Sequence, residues 1–135
     1  MVAIINARAE KGEILPRSRN HAFRNIRDFL VLEEEGVVVA CGALHVLWRD
    51  LGEIRALASA PPSPDKERRI MRALLDEGRR VGLPAAFAFT YFPGFFVDLG
   101  FRIVPKESLP RAAWRECIDC VKFPACDETP VLIEL

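Results

Sequence analysis

Charge of one sign is the first thing this chain lacks: 19 Lys and Arg offset 19 Asp and Glu, for a formal net charge of zero. That balance removes the electrostatic case for nucleic acid or an anionic membrane surface as partner. Long apolar runs are missing too. No segment approaches the ~20 residues of a membrane span, and the opening residues MVAIINARAEKGE have no apolar core behind a basic start, so neither a span nor a signal peptide is expected. The expected compartment is the cytoplasm, where the four cysteines are thiols and not disulfides. Tyrosine occurs once, at Tyr91, which leaves few phenolic acids for chemistry. Glycine is absent between Gly52 and Gly78, and that stretch reads as strand, loop and helix. Such junctions bind phosphate when glycines let a ligand approach the free N–H groups of a helix start.

What is present supports one domain of 135 residues with a real core, since half of the residues are hydrophobic. Val2 to Ala9 reads as a short helix ending near Gly12, and Pro16 keeps Glu13 to Pro16 extended. Ser18 or Asn20 is positioned to cap a helix over His21 to Asp28 with Phe23 and Ile26 inward. The apolar runs FLVLEE and VVVACGALHVLW flank Glu35–Gly36, a hairpin signal. A third strand covers Glu53 to Ser59. Pro61, Pro62 and Pro64 then break the chain, and Asp65 is the expected cap of a helix whose stripe is Ile70, Met71, Leu74, Leu75 and Val81. AAFAFT is apolar on both parities and reads as a strand buried on both faces. A short helix through FFVDLG, a strand FRIV and a final edge strand VLIEL complete the order. The expected fold is α+β: helices flanking a mixed, mostly antiparallel central sheet.

Several ordered blocks resemble the GNAT superfamily of N-acyltransferases, and within it the N-acetylglutamate-synthase type of amino-acid acetyltransferase. They are GEILPRSR from Gly12 to Arg19, NIRDFLVLE from Asn25 to Glu33 with CGAL from Cys41 to Leu44, and GEIRALA around Glu53 to Ala58. FFVDLGF from Phe95 to Phe101 and the cysteine-bearing tail from Leu109 through Trp114 to Glu128 continue the series. The resemblance covers nearly the whole chain, except that the superfamily's first strand is absent before the first helix. The sheet edge this leaves would be covered in a homodimer.

The resemblance implies acetyl-CoA as donor and a small-molecule amine, such as an amino acid, as acceptor. The superfamily's pyrophosphate loop reads Gln/Arg-x-x-Gly-x-Gly/Ala, and Lys66, Glu67, Arg68, Arg69, Ile70 and Met71 stand at the matching positions. Arg69 and Met71 replace small residues there, so side chains of Lys66, Arg68 or Arg69 would have to supply phosphate contacts in place of backbone donors. The pantetheine arm of coenzyme A would lie between Leu57, Ala58 and Ser59 on one strand and Phe87 to Thr90 on the next. Glu53 is the expected base for the ammonium proton. Phe96 stands where the superfamily's tyrosine acid is expected, so Tyr91 is the substitute for the thiolate. Arg17 resembles the residue that holds a substrate α-carboxylate, with Arg55 in the same groove. His45, His21 and Arg102 are secondary candidates, weighed against packing and surface roles. Phe92, Phe95, Phe96 and Phe101 are read as core. Cys117, Cys120 and Cys126, followed by Asp127 and Glu128, have one close pair and a third thiol that could hold zinc with a carboxylate, water or partner residue; the full four-cysteine set with paired spacings is missing, so no metal is expected. The missing loop glycines and Phe96 favour a second function, a binding or regulatory module that keeps the fold without turnover; Glu53 and Arg17 favour the enzyme.

Overall fold

The computed structural model describes residues 1–110, 113 and 127–135. Helix α1 (Val2–Ala9) leads into α2 (Arg19–Arg24), which Ser18 caps by accepting a hydrogen bond from the His21 N–H. A 3-10 turn at Ile26–Asp28 follows, then strands β1 (Phe29–Glu34), β2 (Val37–Trp48) and β3 (Leu51–Ser59). Helix α3 (Pro64–Arg80) crosses over to β4 (Ala85–Thr90), and α4 (Pro93–Asp98), β5 (Arg102–Ile103), a 3-10 turn (Lys106–Ser108) and β6 (Thr129–Glu134) complete the described chain.

The six strands form one sheet in the order β1-β2-β3-β4-β6-β5. Only β3 and β4 run parallel, as the α3 crossover requires; the other neighbours are antiparallel. The first element described is a helix, as read from the sequence, where the superfamily pattern has a strand. The β1–β2 hairpin turns at Glu35 and Gly36, both at positive φ, the geometry of a tight twisted turn.

Helix α3 covers one face of the sheet. Ile70, Met71, Leu74 and Leu75 meet Leu44, Ile54 and Leu57 in the main core. The helix lies close enough that a Cβ at Gly42 would come within 2.8 Å of the Ile70 side chain. On the opposite face, Ile4 and Ile5 of α1 pack with Cys41, Ala56 and Ala58. Beside them, Leu51, Phe87, Val104, Leu109 and Ala113 form a third cluster.

Four expectations change. Ser63, not Asp65, caps α3: its hydroxyl accepts from the Lys66 N–H at 3.3 Å, and Pro64 takes the first helical position, where no N–H is needed. The segment His21 to Asp28 splits into α2 and the 3-10 turn, with Ala22 buried while Phe23 and Ile26 face solvent. Val81 is the exposed C-cap of α3 and leaves the apolar stripe. The last strand is not an edge, because β5 pairs along its outer side through Arg102 and Ile103.

Candidate functional site

The parallel pair β3–β4 is joined only at Gly52–Ala86 and Glu53–Phe87, after which the strands separate. Within β3, pairing to β2 skips from Ala43–Arg55 to Cys41–Ala58, so three residue steps on β3 match two on β2. This is a β-bulge: Ala56 sits at φ 53 and, with Leu57, drops out of the ladder. Splay and bulge together open a cavity of about 440 Å³. Its walls are β3 from Ile54 to Ser59, β4 from Ala88 to Thr90, the start of α3, α4 and the first helix with its following loop. A space of this size suits a small-molecule ligand, and backbone groups outside a ladder are polar partners for one, although the Ala56 and Leu57 carbonyls already accept from Cys41 Sγ and Arg8.

A charged network closes the end of this cavity. The Arg8 Nη1 donates to the Leu57 carbonyl at 3.0 Å and to Glu67 Oε1 at 2.8 Å, while its Nε donates to Glu13 Oε2 at 2.9 Å. The guanidinium also lies over the Phe92 ring, 5.6 Å from its centroid. Glu67 Oε1 accepts a second bond, from the Ser59 hydroxyl at 2.8 Å, and Ser59 Oγ accepts from the Ser63 N–H at 2.7 Å. Glu67 is only 7% exposed, because its helix position shares the stripe of Ile70, Met71, Leu74 and Gly78. A carboxylate so buried is tolerated because it is paired and hydrogen-bonded.

A second polar row crosses the sheet beside the cavity. Glu53 and Arg55 lie two residues apart on β3, and the Arg55 Nε donates to Glu53 Oε2 at 2.7 Å. In the register, Glu53 is directly opposite His45 on β2. His45 Nδ1 is 2.7 Å from Asp28 Oδ2, which orients the ring and leaves Nε2 turned away from that carboxylate.

The residues singled out from sequence fall into two groups. Leu57, Ser59 and Arg55 line the cavity, and Ala58 is buried behind it against α1. Glu53 is next to the wall through Arg55, while Tyr91 and Arg17 are not part of it. The Arg17 backbone is clamped by Asn6, whose side-chain amide bonds its N–H and its carbonyl at 2.8 and 2.9 Å. The loop positions are dispersed. Ile70 and Met71 are core residues, 4% and 0% exposed, and do not reach the cavity. Arg69 is exposed, Arg68 pairs with Asp65 and lies over Phe95, and Lys66 pairs with Glu34. From the first turn of α3, Pro64 and Glu67 meet the cavity, so the obstructing side chain lies earlier than Arg69 and Met71. The phenylalanines also divide: Phe96 and Phe101 are core, while Phe92 is exposed and joins Phe95 and Phe96 on the cavity wall. Cys117, Cys120 and Cys126 lie outside the described residues. Arg8 and Glu13 were not recognisable as site residues in the sequence, since the Arg8–Glu67 pair spans 59 positions.

No protein-family model matches the chain. Individual proteins do. An uncharacterized N-acetyltransferase of Chlorobaculum tepidum is 36% identical over 124 residues, covering 89% of this chain and 79% of that protein. An amino-acid acetyltransferase of Neisseria meningitidis is 32% identical over 114 residues, which is 82% of this chain but 26% of the longer protein. Among solved structures, N-acetylglutamate synthase of Neisseria gonorrhoeae, complexed with coenzyme A and N-acetyl-glutamate, superposes with a TM-score of 0.88 at 25% identity. That match covers 99% of this chain and 32% of the synthase, so the chain spans about a third of that protein. A Mycobacterium tuberculosis protein in complex with CoA gives 0.80 at 25% identity, covering 99% of this chain and 93% of that one. Identity sustained over most of both chains, on this sheet order and with this splayed strand pair, means that the chain belongs to the GNAT-fold N-acetyltransferases, in the branch that resembles the amino-acid acetyltransferases.

Proposed function

We propose that this domain transfers an acetyl group from a coenzyme A thioester to the amine of an amino acid or a similar small molecule, by direct attack. The observation that carries the reading is the splay between β3 and β4 with its bulge, a slot lined by backbone groups at Leu57 to Ser59 and by Ala88 to Thr90. A pantetheine-type arm, with its amides, can pair with such groups and bring its thioester to the inner end of the slot. The amine nitrogen attacks the thioester carbon, the C–N bond forms and the C–S bond breaks. Glu53, directly or through water, takes the ammonium proton. The N–H groups at Ala56 and Leu57, which have no register partner on β2, are assigned to the developing oxyanion. The departing thiolate takes a proton from Tyr91 or from solvent. Arg55 and Arg17 are the cations assigned to a substrate carboxylate, which a planar guanidinium suits.

The neighbours' ligands support this class of chemistry: the gonococcal synthase was solved with coenzyme A and N-acetyl-glutamate, and the same protein with coenzyme A and L-arginine. Released thiol, followed for a panel of amino acids with acetyl-CoA, tests the proposal. At least one amino acid should support turnover, and Glu53→Gln should lower it by roughly 100-fold, a typical loss for a general base. A panel with no turnover, together with no coenzyme A binding, would refute it.

A second reading, a module that binds without turnover, draws on the Arg8–Glu67 network filling the end of the cleft and on Phe96 in the wall. Its mark would be ligand binding that is indifferent to Glu53→Gln. We also place the protein in the cytoplasm; among the described residues, no helix is long and apolar enough to cross a membrane. A homodimer through the β1 edge, where Val31 is exposed, is the third part of the proposal, and a sedimentation mass of twice 15.2 kDa in solution would be its signature.

A further inference from the structure

The cleft's fit to its donor depends on what the protein has left for a phosphate, and backbone accounting over residues 60–67 leaves little. Pro61, Pro62 and Pro64 have no N–H. The Ala60 N–H donates to the Val39 carbonyl at 2.9 Å, and the Ser63 N–H to Ser59 Oγ at 2.7 Å. The Lys66 N–H donates to Ser63 Oγ at 3.3 Å and the Glu67 N–H to the Ser63 carbonyl at 3.1 Å. Among the described residues, nothing bonds the Asp65 N–H, and it sits beside the Asp65 carboxylate. The start of a helix favours an anion, and here that preference is met from inside, by the buried Glu67 carboxylate.

Side chains on the cavity wall do not make up the deficit, and Arg69, exposed on α3, does not line it. Arg8 faces two carboxylates, Glu13 and Glu67, so this trio carries a net negative charge at the end of the cleft. Arg55 is held by Glu53, Arg68 by Asp65 and Lys66 by Glu34. Lys11 stands at the exposed rim. A diphosphate brought to the first turn of α3 would meet Glu67 and find its natural donors engaged. The slot between β3 and β4, in contrast, is apolar apart from backbone groups and a few side chains, and holds no carboxylate of its own beyond those at its end.

We propose that Glu67 is the donor-selecting residue of this cleft: it denies the diphosphate of coenzyme A any gain in affinity, so that a thioester donor is recognised through its pantetheine arm alone. This rests on the acyl-transfer reading above and deepens it by naming the part of the donor that is recognised. Arg8 holds Glu67 in place and is a positioning residue. Removing the Glu67 charge also leaves Arg8 facing one carboxylate, Glu13, in place of two, so its guanidinium can better meet a phosphate.

Calorimetric dissociation constants of the unaltered protein for coenzyme A, dephospho-coenzyme A, 4′-phosphopantetheine and pantetheine provide the test, and need neither turnover nor a variant. The proposal expects the four constants to agree within about threefold, because adding phosphates gains nothing where a carboxylate and occupied donors face them. Glu67→Gln keeps the hydrogen-bond geometry with Ser59 and removes the charge; it should tighten coenzyme A at least tenfold and leave pantetheine unchanged. Coenzyme A bound at least tenfold more tightly than pantetheine by the unaltered protein would overturn the proposal while leaving acyl transfer standing. No binding of any of the four by either protein would overturn both. A Glu67→Gln protein that folds but gains no affinity for coenzyme A would overturn the selecting role of this residue.

Discussion

Replacing Arg8 with methionine keeps most of the side chain's length and apolar stem while removing the guanidinium that joins α1 to β3 and α3. Three hydrogen bonds disappear: to Glu13, to the Leu57 carbonyl and to Glu67. The Glu67 side chain is 10% exposed, so its carboxylate is left with the Ser59 hydroxyl and little water. Breaking a fully buried pair from one side costs about 3–5 kcal/mol. Arg8 is itself 21% exposed and its Glu13 partner 31%, which screens that side of the network, so a loss of about 2–3 kcal/mol is expected. For a domain of this size that corresponds to a fall in melting temperature of roughly 6–12 °C. Urea unfolding of the four members of a cycle, with Arg8→Met and Glu67→Gln alone and combined, measures it. The double variant should be less destabilised than the sum of the singles by about 1 kcal/mol or more, because the second change removes the charge that the first left exposed to an apolar wall. Additive effects, or an Arg8→Met cost below about 0.5 kcal/mol, would show that the network is a surface arrangement and not a strut of the cleft.

Two further outcomes follow from local geometry. Ser63→Ala should cost about 1 kcal/mol in urea unfolding through the lost α3 cap, while Asp65→Ala, whose Arg68 partner faces solvent, should stay within about 0.5 kcal/mol. Burial pushes the Cys41 thiol up from 9.0 to about 11, so the unfolded chain releases this proton first as pH rises. The thiol's contribution is complete below pH 9 and is lost as pH climbs through about 11, by roughly 3 kcal/mol over two units. Unfolding free energies at pH 8 and 10.5 should therefore fall more steeply for the unaltered protein than for Cys41→Ala.

The parts of the fold written in local chemistry were legible. Glu35–Gly36 between two apolar runs specified a hairpin, and AAFAFT, apolar on both parities, specified a strand buried on both faces. The α3 stripe from Ile70 to Leu75 was legible from its period. Glu67 was not recognised because it sits in the charge run DKERR, which reads as a solvated face. Its phase held the signal: 67, 70, 71, 74 and 78 share one helix stripe, so this carboxylate had to turn inward or distort the helix. The same phase argument moves the loop's obstruction away from Arg69 and Met71. Asp65 lost the cap to Ser63 because Pro64 fits the first helical position, which puts Ser63 immediately before it. The role of Arg8 had no sequence signal, since its partners are brought to it only by the sheet. The outer pairing of β5 to β6 was equally hidden, because it joins segments far apart in the chain.

The claim on which the rest depends is that the slot between β3 and β4 receives the thioester arm. Backbone amide chemical shifts, recorded while pantetheine or coenzyme A is added, read this residue by residue. The largest changes should fall at Ala56 to Ser59 and at Ala88 to Thr90, with smaller ones at Arg8 and Glu67. Changes centred elsewhere on the sheet, or none at saturating ligand, would contradict it.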